Sequence, residues 1–335
     1  MITFREFSKT FGGRTAVSDL SMTIEAGEVM AMLGPNGSGK TTSIKSAAGL
    51  IRPSSGSVLI GDPPRPASDA EARRVSAFLP QKVTFAEQLS GREVLEFYCA
   101  LRGQSLDRVD VALAAVSLGD AADRNAGTYS GGMTQRLGLA VALASDAPLL
   151  LLDEPTAALD PDGLAAFHAL VGHRRGRGQT TVFSSHQLDD VERLADRVAV
   201  LVEGRLAALL TASELAECVA GQGVMRLHTG VVTPAALADV RSIAPDTIAA
   251  DGALLVRGSS LLRPAVLAAL SRHAIEIRSL TVQEGRLDQW YRDLVNAQTT
   301  VPATKAGGAV GNVAPASDGA SGRAMWCVRA LRDRL

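Results

Sequence analysis

The chain has almost no net charge, because its acidic and basic side chains nearly cancel to a formal value of −1 at pH 7. Proteins that hold nucleic acid through its phosphates usually present a basic surface. The composition therefore predicts no nucleic-acid partner. Apolar residues make up 46% of the 335 positions, which is enough for a hydrophobic core in one large domain or in two.

Cysteines and long apolar runs are also scarce. Cys99, Cys218 and Cys327 stand far from one another, with no metal-ligand or redox spacing, as is typical of thiols in a reducing compartment. No run reaches the ~18 apolar residues that a membrane-spanning helix needs. Residues 1–7 lack the apolar segment of a signal peptide. We therefore expect a cytosolic protein that reaches a membrane only through a partner.

The first part of the chain alternates short apolar runs with helical patterns. Runs typical of buried strands are at residues 28–33, 75–79, 149–152, 181–184 and 197–202. A helix is predicted from about Lys40 to Leu50. Residues 90–145 read mainly as helix, beginning with a capping box formed by Ser90 and Glu93. This alternation predicts an α/β domain with a largely parallel sheet.

Beyond about Thr211 the pattern changes to that of a small α+β domain. Strands are predicted near residues 225–229, 247–250, 254–257 and 276–280, and helices near 262–272 and 287–295. Residues 296–335 begin with a stretch rich in Ala, Gly, Thr, Ser and Pro, which predicts a flexible, disordered tail. Its last residues, 323–335, regain apolar residues at helical spacing, so a short docking helix and a frayed end both stay open.

Residues 34–42 carry the clearest chemical signal. The sequence GPNGSGKTT matches the phosphate-binding loop and lies between a predicted strand and a predicted helix. Glycines let successive backbone N–H groups point inward, and the helix start adds positive potential for phosphate. Lys40 is expected to contact the β- and γ-phosphates of a nucleotide, and the Thr41 hydroxyl to bind Mg²⁺. The predicted nucleotide-binding residues here are Gly34, Pro35, Asn36, Gly37, Ser38, Gly39, Lys40, Thr41 and Thr42.

Two further segments have the residues of an ATPase site. Asp153 and Glu154 end an apolar strand, where Asp153 would hold Mg²⁺ and Glu154 would accept a proton from attacking water. Alone, such an acidic strand end is more often a turn or a helix cap, but the phosphate loop favours the catalytic interpretation. Ser130, Gly131 and Gly132 open a helix and form either a second anion site or a plain N-cap.

Together these motifs resemble the ABC ATPase superfamily over residues 2–210. The resemblance implies a P-loop ABC ATPase domain at 1–210, with a helical subdomain at about 84–146, an accessory domain at 211–295 and the tail at 296–335. It also implies site roles that the motifs alone do not give. Gln81 would be the Q-loop residue, which contacts Mg²⁺ or water and senses the transporter, and Asp160 would belong to the D-loop. His186 would be the switch histidine near the γ-phosphate, and the Phe11 ring would stack on adenine.

In this family ATP and Mg²⁺ are bound between two subunits, so the resemblance implies a homodimer in which Ser130 and Gly132 bind the γ-phosphate held by the partner. It also implies an integral membrane permease facing residues 82–103, and a peripheral position on the cytoplasmic side of the inner membrane. Met133 stands where the family usually has Gln, which puts one hydrogen bond near the helix start in doubt. Phe11 replaces the commoner Tyr, and either ring can stack.

Within the family, residues 82–85, 88–93 and 129–139 resemble ATPases that serve copper-site maturation of nitrous oxide reductase. That subgroup implies a permease and a periplasmic accessory protein, and ATPases of drug- or haem-type exporters are the alternative. ABC ATPases that act on ribosomes or chromosomes are disfavoured, since the sequence has neither a second phosphate loop nor long heptad insertions. The accessory domain is expected to brace the dimer, with a ligand or regulator site as its alternative role.

Overall fold

A computed structural model describes residues 1–250 and 252–299 of the chain. It divides into two compact units, one from Met1 to Ala212 and another that begins at Ser213. No helix within the described residues combines the length and the apolar character needed to cross a bilayer. The hypotheses on the end of the tail, residues 300–335, lie outside the described residues.

The first unit contains two sheets. Its antiparallel sheet comprises β1 (Ile2–Phe11), β2 (Arg14–Ile24), β4 (Ser55–Ile60) and β5 (Arg65–Pro66), in the order β2-β1-β4-β5. Its larger sheet comprises β3 (Val29–Leu33), β6 (Ser76–Leu79), β7 (Leu149–Leu152), β8 (Thr180–Ser185), β9 (Arg197–Val202) and β10 (Arg205–Thr211), in the order β10-β9-β3-β8-β7-β6. All neighbours in the larger sheet are parallel except β10, which pairs with β9 in the antiparallel sense.

Seven helices complete this unit: α1 (Lys40–Ala47), α2 (Ala70–Arg74), α3 (Gly91–Arg102), α4 (Arg108–Ala115), α5 (Gly131–Ala144), α6 (Pro161–Gly176) and α7 (Leu188–Leu194). Helices α3, α4 and α5 pack against one another. The capping box is confirmed, because the Ser90 hydroxyl accepts from the Glu93 N–H at 3.2 Å and the Glu93 carboxylate accepts from the Ser90 N–H at 2.8 Å. The mixed α/β class expected from the sequence is confirmed.

The parallel sheet sets the position of the chemistry. Strands β3 and β7 are buried along their whole length, as their continuous apolar runs predict. Strand β8 lies between them, and all three run in the same direction. Their carboxyl ends therefore meet at one edge of the sheet, where α/β proteins bind ligands.

The antiparallel sheet was not predicted. Strand β1 is partly exposed, and its pairing with β2 shifts register between Phe4 and Phe7, between Phe7 and Lys9, and again at Thr10. Such bulges interrupt the strict two-residue alternation by which a half-buried strand is recognised. Strand β10 was also missed.

The second unit combines a four-stranded antiparallel sheet with four helices. Its strands, in the order β12-β13-β11-β14, are β11 (Val224–Thr229), β12 (Ile248–Ala250), β13 (Ala253–Arg257) and β14 (Ile277–Gln283), and its helices are α8 (Ala212–Ala220), α9 (Pro234–Ile243), α10 (Arg263–Arg272) and α11 (Leu287–Thr299). The core includes Leu227 and Leu254 from the sheet and Val240 and Leu270 from α9 and α10. Helix α9 was missed, and α11 ends at Thr299, four residues beyond the helix end expected at 295. The domain bounds and the tail stay predictions.

Candidate functional site

The loop between β3 and α1 forms a backbone cradle that only glycine permits at its two ends. At Gly34 a Cβ atom would collide with the carbonyl oxygen of Leu201, and the φ angle is 157°. At Gly39 the φ angle is 102°, and a Cβ atom would lie 2.8 Å from the carbonyl oxygen of Ala16. Side chains are excluded at both positions. The backbone can therefore pack closely against β9 at Gly34 and against β2 at Gly39, directly before α1 begins.

Lys40 is the cation of this cradle. Its side chain is only 4% exposed, and its ammonium donates to the carbonyl oxygens of Gly34 at 2.7 Å and Pro35 at 3.1 Å. The ammonium also lies 3.9 Å from Oε1 of Glu154. Burial lowers the pKa of Lys40, and the nearby carboxylates of Glu154 and Asp153 only partly oppose this shift. An anion that approached the loop would stabilise the charged ammonium in the same way.

The end of β7 faces this cradle. Oδ1 of Asp153 accepts hydrogen bonds from the Thr41 hydroxyl and the Ser184 hydroxyl, each at 2.9 Å. Its other oxygen, Oδ2, is buried and has no hydrogen-bond partner among the described residues. A buried carboxylate oxygen needs a partner, and oxygen donors of this kind are those that Mg²⁺ prefers. The residues at this point therefore fit a bound Mg²⁺ ion.

Glu154 follows in an unusual backbone conformation. Its φ angle is 48°, a left-handed value that a residue other than glycine seldom adopts. Its N–H donates to the Ser184 hydroxyl at 2.8 Å, and its Oε2 accepts from the Gln81 side-chain amide at 2.8 Å. Strained backbone of this kind is concentrated at functional sites. Glu154 thus contacts Gln81 and lies beside Lys40, although these three residues are far apart in the sequence.

A cavity of about 740 Å³ opens over these residues. The lining includes ten residues that the sequence analysis assigned to the site: Pro35, Asn36, Gly37, Ser38, Gly39, Lys40, Thr41, Thr42, Gln81 and Glu154. Sequence reasoning missed the other lining residues, which are Arg14, Thr15, Ala16 and Glu203. The only available signal was the glycines beside them: Arg14, Thr15 and Ala16 open β2 directly after Gly12-Gly13, and Glu203 precedes Gly204. A hydrogen bond from the Ser18 N–H to the Gly204 carbonyl at 2.7 Å joins β2 to the turn between β9 and β10.

Phe11 and His186 do not line this cavity. Phe11 lies at the end of β1, is 48% exposed, and has the Lys9 ammonium 4.9 Å from its ring centroid. His186 is exposed directly after β8. Adenine stacking by Phe11 and γ-phosphate contact by His186 stay predictions.

Ser130, Gly131, Gly132 and Asp160 also lie outside the cavity lining. Ser130 is the N-cap of α5, and its hydroxyl accepts from the Met133 N–H at 3.2 Å. Asp160 is the N-cap of α6, where Oδ1 accepts from the Gly163 N–H at 2.9 Å. Each therefore has a structural role within its own subunit, which is compatible with the expected contact with a nucleotide held by a partner.

A parallel sheet with a phosphate cradle after β3 and paired carboxylates after β7 defines a P-loop nucleoside triphosphatase. Residues 17–157 match the sequence profile of the ABC transporter family. The chain is 34% identical over 293 residues to the daunorubicin/doxorubicin resistance ATP-binding protein DrrA of Streptomyces peucetius, covering 84% of this chain and 88% of that protein. It is 29% identical over 304 residues to the linearmycin resistance ATP-binding protein LnrL of Bacillus subtilis (strain 168), covering 88% of this chain and 98% of that protein.

Solved structures show the same likeness. The chain resembles the ATP-binding subunit of an ABC transporter with a TM-score of 0.59 and 27% identity, over 63% of this chain and 90% of that one. It resembles a dimeric bacterial ABC transporter cassette with a TM-score of 0.59 and 26% identity, over 63% of this chain and 99% of that one. The chain belongs to the ABC transporter family as an ATP-binding subunit, and its first unit is an ABC ATPase domain.

Proposed function

We propose that the chain hydrolyses ATP as a homodimer on the cytoplasmic face of a membrane and thereby drives a separate permease that exports an antibiotic-like compound. The observation that carries the ATPase part is the convergence of Lys40, Thr41, Gln81 and Glu154 on one cavity, with the buried Asp153 held behind it by the Thr41 hydroxyl. Those residues come from the start of α1 and from the segments that follow β6 and β7, which are distant in the sequence.

Each group has a defined task in the proposed hydrolysis. Lys40 and the loop N–H groups bind the phosphates of ATP. Asp153 and Thr41 would hold Mg²⁺, which when bound neutralises charge on the β- and γ-phosphates. Glu154 accepts a proton from the attacking water or orients it, and Gln81 holds the Glu154 carboxylate in place.

The proposed dimer is supported by the family and is compatible with the lining of the cavity. The predicted γ-phosphate ligands Ser130 and Gly132 do not line the cavity. A partner in head-to-tail orientation would present its own Ser130 to the open side. The solved cassette that the chain resembles is itself described as dimeric.

The cargo proposal rests on relatives that match more than the ATPase unit. The alignment to the linearmycin resistance protein covers 304 residues, so it must extend into the second unit, which begins at Ser213. That protein and the daunorubicin/doxorubicin resistance protein are both named for antibiotic resistance. This supports export of a drug-like compound, the alternative that the sequence motifs left open.

None of the relatives reported above is named for copper or for nitrous oxide reductase. The copper-maturation hypothesis, and with it the periplasmic accessory protein, is therefore supported only by the resemblance of residues 82–85, 88–93 and 129–139. It stays a prediction, as does the lack of a nucleic-acid partner.

One set of experiments tests both parts. The chain would be purified with its co-purifying membrane subunit and assayed for ATP hydrolysis, which we expect to depend on Lys40.

A deletion strain would then be measured for sensitivity to antibiotics and for the copper content of nitrous oxide reductase. Greater antibiotic sensitivity with normal copper supports export. Copper-deficient reductase with unchanged sensitivity would contradict export and restore the maturation hypothesis, and ribosomes or DNA in place of a permease would contradict both.

A further inference from the structure

The segment after β7 and the segment that ends β8 are joined by side-chain hydrogen bonds on both sides of His186. One set of bonds is made by Ser184 at the end of β8. The other is made by Asp190 in α7. Neither residue belongs to the loop, carboxylate or signature motifs that the sequence analysis identified.

Ser184 makes the first connection. The side chain is completely buried, and its single hydroxyl has two partners. It donates to Oδ1 of Asp153 at 2.9 Å and accepts from the backbone N–H of Glu154 at 2.8 Å. One hydroxyl therefore fixes the carboxylate of one catalytic candidate and the left-handed backbone, with φ of 48°, of the next.

Asp190 makes the second connection. It is 3% exposed, and both carboxylate oxygens are used. Oδ2 accepts from the Thr156 hydroxyl at 2.9 Å, and Oδ1 lies 3.1 Å from Nε2 of His168 on α6. Thr156 is two residues beyond Glu154, and Asp190 is four residues beyond His186. The Thr156–Asp190 hydrogen bond therefore joins the segment after Glu154 to the segment after His186.

We propose that Ser184 and Asp190 are positioning residues that hold Glu154 and His186 in a fixed relation, so that the proton-accepting carboxylate and the switch histidine act on one phosphate. The proposal rests on the ATPase function proposed above. Because Ser184 contacts Glu154 through its backbone, loss of the hydroxyl would let the strained φ angle relax. The carboxylate would then lie away from the attacking water, and small misplacements of this kind are costly in rate.

The test compares pairs of variants that remove or retain a hydroxyl. Ser184→Ala and Thr156→Val remove it, whereas Ser184→Thr and Thr156→Ser keep it. The matched control is Thr181→Val, which removes an equally buried hydroxyl from the same strand β8, where it accepts from Nε of Arg174 at 3.2 Å. Two readouts are measured on the full chain: kcat and KM for ATP with Mg²⁺, and hydrogen–deuterium exchange of the peptide containing Glu154.

We expect Ser184→Ala and Thr156→Val each to lower kcat by about 10-fold while KM changes less than about threefold, since the bonds position groups rather than bind substrate. The hydroxyl-retaining variants should recover most of kcat, and only Ser184→Ala should speed exchange at the Glu154 amide. The proposal is overturned if folded Ser184→Ala keeps its kcat, or if Thr181→Val loses as much. If the wild-type chain itself hydrolyses no ATP, the ATPase proposal fails, while the exchange measurement still decides whether Ser184 holds the Glu154 backbone.

Discussion

Two helix starts in the first unit have similar local chemistry and different surroundings. Helix α1 begins after Gly39, and helix α5 begins after Ser130, each with glycines and a hydroxyl side chain near its first turn. Around α1 the tertiary structure adds Asp153 and Glu154 from β7 and Gln81 from the loop after β6. Around the start of α5, a Cβ atom placed on Gly131 would meet nothing within 4 Å.

A helix N-terminus supplies only part of a phosphate-binding site. Its dipole and free N–H groups stabilise a bound anion, but only weakly unless charged or metal-binding side chains from other elements also contact that anion. Helix α1 receives those partners from its own chain. Helix α5 would receive them only from a nucleotide that a second copy holds, so the two starts are the two halves of one proposed site.

The most severe test removes the cation at the first helix start. Lys40→Ala deletes the buried ammonium, and we expect kcat/KM for ATP to fall by about 1000-fold, because a preorganised charge at the phosphates is lost. Nucleotide affinity, measured by calorimetry, should fall with it. The matched control is Lys45→Ala, in the last turn of the same helix. Unaltered affinity in Lys40→Ala would contradict the phosphate-loop assignment.

A second change leaves binding intact and removes the base. Glu154→Gln keeps the shape of the side chain but cannot accept a proton, so hydrolysis should fall by about 100-fold while ATP still binds. Because ATP then persists, the dimer should accumulate, and size-exclusion chromatography with ATP would show it. Hydrolysis at the unmutated rate would contradict the assignment of Glu154.

A mixing experiment tests whether the two helix starts belong to different subunits. Ser130→Ala removes the hydroxyl at α5, and Lys40→Ala disables α1, so each homodimer lacks an intact site. In a random mixture half of the dimers contain both variants, and each of these regains one complete site of two, or about a quarter of wild-type activity. Activity no greater than the average of the separate variants would show that each site is completed within one chain.

The smallest expected effect concerns how α5 is held at its other end. Asp146, just after α5, accepts from Arg108 on α4 at 3.0 Å and from Arg177 and Gln179 at 3.0 and 3.1 Å. Burial alone would raise the pKa of Asp146, but these bonds outweigh it and lower the pKa to about 2. The carboxylate therefore stabilises the fold above its unfolded pKa of 3.8, and this contribution is lost as the pH falls toward 2.

We expect Asp146→Asn to lower the free energy of unfolding by about 2 kcal/mol at pH 7, with the difference from wild type shrinking below pH 4. Urea unfolding across this pH range measures it, with the exposed Asp120→Asn as control. A pH-independent difference would mean that the ion pairs at Asp146 do not stabilise α5.

Local sequence predicted the elements of the parallel sheet well. The apolar runs of β3 and β7 are complete and uninterrupted, and β7 and β9 have the predicted bounds. It did worse where strands are half-exposed and bulged, as in β1. It also missed α9, although Leu237, Val240 and Ile243 recur there at helical spacing and pack in the core of the second unit. The lining residues Arg14 and Glu203 have only the neighbouring glycines as a local signal, because their position at the cavity depends on β2 meeting the β9–β10 turn across the fold.

By itself the sequence determined the class of chemistry, because a phosphate loop requires glycines at fixed spacing and a following Lys and Thr, and these are local properties of the chain. Only the tertiary structure decided which residues share the site. The parallel order of β3, β8 and β7 brings Thr41, Asp153 and Ser184 into hydrogen-bond contact although more than a hundred residues separate the first from the others. Strand order is set by packing of the whole unit, and no local pattern encodes it.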